Sequence, residues 1–364
     1  MRKSLRAVAR QFEDRIGWNA VGIALSITII AVAAFVLYRI LHDIDVHEVM
    51  HAVRMTPVRN LVLAGLFVAA GYFTLTFYDL FALRTIGCKN IPYRVAALAG
   101  FTSYSIGHNV GATVFTGGAV RYRVYSVWGL TLIDVAKICF VAGLTFWLGN
   151  ATVLGLGIAY DPSAASAIDQ LPVGVNRFIA AVILLVLATY VGWVWAAPRQ
   201  IGRSNWQVTL PGGPLTLLQI LIGIIDLGCC ALAMFVLMPS EPHIPFVTLA
   251  VIFVMATLLG FASTSPGGLG VFDAAMFIGL WQFDKEDLLA GLLLFRLFYY
   301  VLPFAITLAV LGVRELWVDV HELAPHHADA SGITPGPVAI DPPIEKACSG
   351  TQSSQPRKKT SAIE

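Results

Sequence analysis

Two arginines, Arg121 and Arg123, follow a glycine pair in the run Thr116-Gly117-Gly118-Ala-Val-Arg-Tyr-Arg-Val-Tyr125. A guanidinium matches phosphate oxygens two at a time. A helix starting after Gly118 would add free N–H groups and a partial positive charge, both favourable to an anion. The run therefore reads as a site for a phosphate-bearing headgroup, built from Thr116, Gly117, Gly118, Arg121, Tyr122, Arg123 and Tyr125. Helical spacing puts Gly118, Arg121, Tyr125 and Trp128 on one stripe. The competing reading makes both arginines interfacial anchors. About 150 residues further on comes a second glycine-rich run, Ser265-Pro266-Gly267-Gly268-Leu269-Gly270, and then Asp273. Asp273 is suited to a cationic headgroup or to pairing with an arginine. The alternative here is a packing kink with Ser265 as a cap.

Isolated charges form the next group. Asp226 lies within the apolar stretch Gln219–Cys230, and Arg296 within Leu292–Tyr299. Ionisable groups at membrane depth face the protein interior and pair. An Asp226–Arg296 ion pair and a substrate or proton role both fit. Asp79, His108 and Asn109 are second-rank candidates of the same kind. His47-Glu48-Val-Met-His51 has the spacing that, on a helix, sets two imidazoles on one face for zinc with a glutamate as base. It has no obvious third ligand, and an amphipathic interfacial segment explains it more simply. No catalytic constellation, metal site or cofactor is expected. The five cysteines lack metal-ligand spacing and read as small apolar residues.

The elements that must position these residues are membrane helices. Hydrophobic residues make up 57% of the 364-residue chain and charged ones 13%, against about 25% charged in a soluble domain. Apolar runs near the required ~20 residues lie at 19–41, 60–83, 132–157, 175–197, 215–238 and 288–312. Two more, 93–115 and 245–263, run into the glycine-rich breaks, each followed by a short helix, 118–130 and 269–282. Irregular backbone at membrane depth occurs where protein or a water-filled cavity surrounds it, and paired breaks point to a transport site. The expected fold is an all-α polytopic membrane protein of six full spans plus two broken pairs. Its two halves, 19–157 and 175–318, form an inverted repeat. A basic segment, 1–18, precedes them, and a polar tail, 319–364, follows. Lys/Arg bias places both termini in the cytoplasm. A gap-free offset aligns Gly117-Gly118 with Gly267-Gly268, and Asp134 with Asp284.

The run Phe115 to Leu130, continuing to Thr145-Phe-Trp-Leu-Gly149, closely resembles the transmembrane domain of the lysylphosphatidylglycerol synthase/flippase family (multiple peptide resistance factors). Ser265 to Phe272 resembles that family's second signature. The similarity covers about residues 15–318. It implies a bacterial inner-membrane protein that flips aminoacylated phosphatidylglycerol or a related polar lipid, lowering negative surface charge and repelling cationic peptides. Thr116, Gly117, Gly118, Arg121, Tyr122, Arg123, Pro266, Gly267, Gly268 and Gly270 would then be lipid-pathway positions. The segment after 318 is too short for the soluble synthase domain of bifunctional members, so aminoacyl transfer is not expected. The partners implied are membrane lipids, with room for a separate aminoacyl-lipid synthase and for further copies of the chain, but no nucleic acid. The alternatives are a non-transporting scaffold, a subunit of a lipid-modifying enzyme and, last, a membrane metalloprotease.

Overall fold

Proline and capping residues set where the helices begin. Pro57, Pro92, Pro172 and Pro245 each occupy an N-cap, where the missing N–H leaves no helical bond unmade. Thr131 and Asp134 form a capping box: Asp134 N donates to Thr131 Oγ1 (3.3 Å) and Thr131 N to Asp134 Oδ2 (3.0 Å). The computed structural model describes residues 45–197, 199–203 and 206–322. The helices in order are α1 (Val46–Met55), α2 (Val58–Thr85), α3 (Tyr93–Val110), α4 (Thr113–Ser126), α5 (Leu132–Tyr160), α6 (Pro162–Asp169) and α7 (Val173–Ala196). A hairpin, β1 (Gln200–Arg203) with β2 (Trp206–Thr209), precedes α8 (Gly213–Leu237). Then come α9 (Phe246–Ala262), a 3₁₀ turn (Pro266–Gly268), α10 (Val271–Gly279) and α11 (Lys285–Arg296). A π-helical turn (Leu297–Val301) joins α11 to α12 (Leu302–Glu322).

This is an all-α membrane architecture. Five of the expected spans are present: α2, α5, α7, α8 and the continuous Lys285–Gly312. The basic segment 1–18 and the span at 19–41 lie outside the described residues. So does the tail beyond Glu322. Along α7, Phe178, Leu185, Val186 and Trp195 are all exposed, an apolar surface suited to lipid. The central contact is α2 against α8. Around it lies the main core, including Leu75, Tyr78, Met234, Phe253 and Phe295. The short β hairpin was not expected; its Val208 is buried in a second cluster with Leu83, Ile91, Tyr125 and Ile138.

Both broken pairs are hairpins, but the first turns earlier than expected. Its bend is at Gly111 (φ 84°) and Ala112 (φ 46°), left-handed backbone that glycine adopts without strain. Helix α4 therefore starts at Thr113, and Gly117 and Gly118 lie inside it. These glycines serve close packing. A Cβ on Gly117 would stand 3.2 Å from the Ser103 carbonyl oxygen, and one on Gly107 only 2.8 Å from Thr113 Cγ2. Such approaches hold α3 and α4 antiparallel. The second break does fall on its glycines, with Gly267, Gly268 and Gly270 all at positive φ. The gap-free alignment therefore fails: it sets the interior of one helix against a turn. The order of elements still repeats. Span, broken hairpin, span describes α2 to α5, and again α8 to α12, with α7 ahead of the second set.

Candidate functional site

The two breaks meet. A Cβ on Gly111 would lie 3.2 Å from Pro266 N and from the Thr264 carbonyl oxygen, and Gly267 sits against Tyr300 and the His108 carbonyl. Between these turns and the central spans is a cavity of about 360 Å³. Its polar wall includes Tyr104, His108, Arg121, Asp226, Tyr299 and Tyr300.

Asp79 of α2 and Arg121 of α4 form a buried ion pair. Nη2 donates to Oδ1 at 2.7 Å, and Nε lies 3.1 and 3.0 Å from the two carboxylate oxygens. The Tyr125 hydroxyl donates to Asp79 Oδ2 at 2.9 Å. The guanidinium also lies over the Tyr104 ring, 4.8 Å from its centroid. A second pair joins α10 to the last span. Arg296 Nη2 donates to Asp273 Oδ2 (2.6 Å), its Nε to Oδ1 (3.0 Å) and its Nη1 to the Gly267 carbonyl (3.2 Å). Asp273 Oδ2 also accepts from Gly270 N at 3.0 Å. Arg296 is thus the partner of Asp273, so the Asp226–Arg296 pair is not formed. The reason is position: Arg296 faces the second break, and neither it nor Asp273 lines the cavity.

Asp226 stands apart. It is buried on α8, and its Oδ2 accepts from the Tyr78 hydroxyl at 3.1 Å. Its Oδ1 has no hydrogen-bond partner among the described residues, and neither has His108 Nδ1. Both residues line the cavity.

Of the other sequence-derived candidates, Gly267 and Gly268 line the cavity. Pro266 and Gly270 build the second break. Thr116 ties α4 to the first bend, its hydroxyl donating to the Gly111 carbonyl at 3.0 Å. Tyr122 and Arg123 are exposed, so the two arginines have separate environments. The stripe through Gly118, Arg121, Tyr125 and Trp128 holds only in part. Arg121 and Tyr125 are buried, but α4 ends at Ser126 and Trp128 is exposed. His47, Glu48 and His51 are exposed on α1, and no group of three metal-type side chains gathers among the described residues. Tyr104, Tyr299 and Tyr300 were missed, although Tyr104 and His108 share a helix face by their i, i+4 spacing.

Residues 20–307 match the family model described as the lysylphosphatidylglycerol synthase TM region. The chain is 30% identical over 257 residues to an uncharacterized protein of Synechocystis, covering 70% of this chain and 80% of that one. It is 28% identical over 273 residues to the inner membrane protein YbhN of Escherichia coli, covering 73% and 83%. It is also 24% identical over 318 residues to a phosphatidylglycerol lysyltransferase of Staphylococcus xylosus, covering 83% of this chain but 36% of that one.

Proposed function

The chain belongs to the family of lysylphosphatidylglycerol synthase transmembrane regions, and we propose that it moves a polar lipid between the leaflets of a bacterial inner membrane. The substrate class is aminoacylated phosphatidylglycerol or a lipid of related headgroup. This rests on the similarity to the staphylococcal phosphatidylglycerol lysyltransferases and on the cavity's chemistry. The observation that carries the reading is the polar cavity set between two helix breaks inside an otherwise apolar bundle. Polar groups at membrane depth are costly and mark substrate paths, and broken helices flank transport sites.

The cavity offers two unlike fields. Helix α4 starts at its edge with no side-chain cap, so the first N–H groups and the helix dipole favour a phosphate. Arg121, about two turns further along α4, adds charge to the same cavity, shared with Asp79. Asp226 supplies the opposite charge for an amine. Headgroup and cavity would match while the acyl chains stay in lipid. With both hairpins re-entrant and the apolar run 19–41 taken from its sequence as a further span, each half would cross the membrane three times, the second half would be inverted and the breaks would approach from opposite sides. Rocking of the halves would then expose the cavity to each leaflet in turn. The lysine and arginine bias supports a reading with both termini in the cytoplasm.

Leaflet-resolved translocation by the purified protein in liposomes tests this reading. Lysyl-phosphatidylglycerol, phosphatidylglycerol and a polyprenyl phosphate would be offered together. Selective movement of the aminoacyl lipid is expected. Folded protein that moves none of them would overturn the reading and favour a scaffold or a subunit of a lipid-modifying enzyme.

A further inference from the structure

Asp226 carries an inference that rests on the lipid-transport reading and goes beyond it. Its side chain is buried in the middle of α8, with one carboxylate oxygen on the Tyr78 hydroxyl and the other without a partner among the described residues. Among the described residues, the two arginines of the buried ion pairs are committed elsewhere: Arg121 to Asp79 and Arg296 to Asp273. The titratable groups around it are Tyr72 and Tyr78 from α2, Tyr104 and His108 from α3, Cys139 from α5, Tyr299 and Tyr300 from the π turn, and Cys229 and Cys230 on its own helix. Helix α9 has no titratable residue. Arg177, Lys285, Glu286 and Asp287 lie at the starts of α7 and α11. Tyrosines and thiols are neutral at pH 7 with ordinary pKa values of about 10 and 8.5. Neither supplies a positive charge, and His108 does so only by itself taking a proton.

A buried carboxylate without a cation is costly by several kcal/mol, so Asp226 must hold either a proton or a ligand's cation. We propose that Asp226 is an exchange site, taking a proton or the ammonium of the lipid headgroup but not both, and that translocation is therefore coupled to proton movement in the opposite direction. The charge balances. The ionised carboxylate binds the headgroup ammonium on one side of the membrane. On the other side a proton from water forms an O–H bond at Oδ1, and the ammonium leaves unchanged. On the return, that O–H bond breaks and the proton passes to water. His108, with its free Nδ1 in the same cavity, is a second proton acceptor on the way. Its ring lies 5.7 Å from that of Tyr104, and Tyr104 lies 5.9 Å from Tyr78, the hydroxyl donor to Asp226.

One-for-one exchange makes a quantitative demand. In liposomes holding the full-length protein, each pH unit across the membrane should shift the steady-state leaflet ratio of lysyl-phosphatidylglycerol about tenfold, and the Asp226→Asn variant should lose that response. A second readout needs neither transport nor a variant. Infrared difference spectra of the wild-type protein should show a buried carboxylic-acid C=O band that disappears on adding lysyl-phosphatidylglycerol but not phosphatidylglycerol. If lipid moves and its ratio ignores the gradient, proton coupling is wrong while the transport reading stands. If no lipid moves, the transport reading fails, and the infrared arm still decides. Loss of the band on adding the aminoacyl lipid supports exchange at Asp226, and an absent or unresponsive band overturns it.

Discussion

Arg121 grips both carboxylate oxygens of Asp79 at 2.7–3.1 Å, and both side chains are almost wholly buried, at 5% and 0% exposure. This relationship changes what an arginine substitution tests. Removing one member of a buried pair strands the other's charge, at a cost of about 3–5 kcal/mol. Arg121→Gln and Asp79→Asn should each lower the unfolding temperature in detergent markedly. The paired replacement of both by leucine should recover much of the loss, because no lone charge remains. If either single variant unfolds like wild type, the pair is not holding α4 to α2. Loss of transport in Arg121→Gln must therefore be read beside its stability.

A cleaner probe of the cavity is Gly143 on α5. It lines the cavity, and a Cβ built there meets no atom within 4 Å. A phenylalanine at 143 would enter open space and obstruct the headgroup path. Gly143→Phe should fold with wild-type stability and reduce translocation at least about tenfold, a barrier increase of roughly 1.4 kcal/mol. Gly192→Phe is the control: Gly192 is equally open but lies on the exposed face of α7, and transport should continue. Equal rates in the two variants would move the path out of this cavity.

The five described spans, their order and the presence of two breaks were legible because each rests on a long apolar run or a cluster of turn-forming residues. The exact bend at Gly111-Ala112 was not. Gly117-Gly118 is the more conspicuous signal, yet glycine inside a helix also serves close approach, and only the neighbour Ser103 shows which use applies. Ion-pair partners were misjudged for a related reason. Asp79 and Arg121 are 42 residues apart, and sequence gives no distance between helices. Asp273 was read as suited to a cationic headgroup or to an arginine, and the arginine it meets is Arg296 of the last span.

Asp161 gives a pH signature at the edge of the bundle. Burial pushes its carboxyl up, but hydrogen bonds from the Ser163 and Thr248 hydroxyls and from the backbone N–H groups of Ala164 and Ser163 outweigh that and hold it below the usual range. The Thr248 hydroxyl, from α9, donates to Oδ2 at 2.6 Å. The folded state therefore keeps the charged form to lower pH than the unfolded chain does. The stabilisation is fully present above the unfolded value, near pH 4, and is lost as pH falls through the folded one. Asp161→Asn should flatten the acid limb of the stability profile below about pH 4 and leave neutral-pH titration unaltered. The side chain is partly exposed, so screening keeps the effect small. An unchanged acid limb would mean these hydrogen bonds do not favour the ionised form.

Asp273 joins three parts of the second break. It caps Gly270 N at the start of α10 and accepts from Arg296, which in turn donates to the Gly267 carbonyl. Replacing it with asparagine keeps an oxygen for the cap but removes the charge opposite Arg296; alanine removes both. The pair is partly exposed, at 14% and 12%, so its loss should cost less than that of Arg121–Asp79. Loss of the cap adds about 1 kcal/mol more. Hydrogen exchange across residues 263–273 should rise in Asp273→Asn and rise further in Asp273→Ala, while α3 and α4 around Asp79 stay protected. That order follows if Asp273 acts by fixing the turn. Equal exchange in both variants would assign its effect to the ion pair alone, and unaltered exchange would show that Pro266 and the glycines set this turn without it.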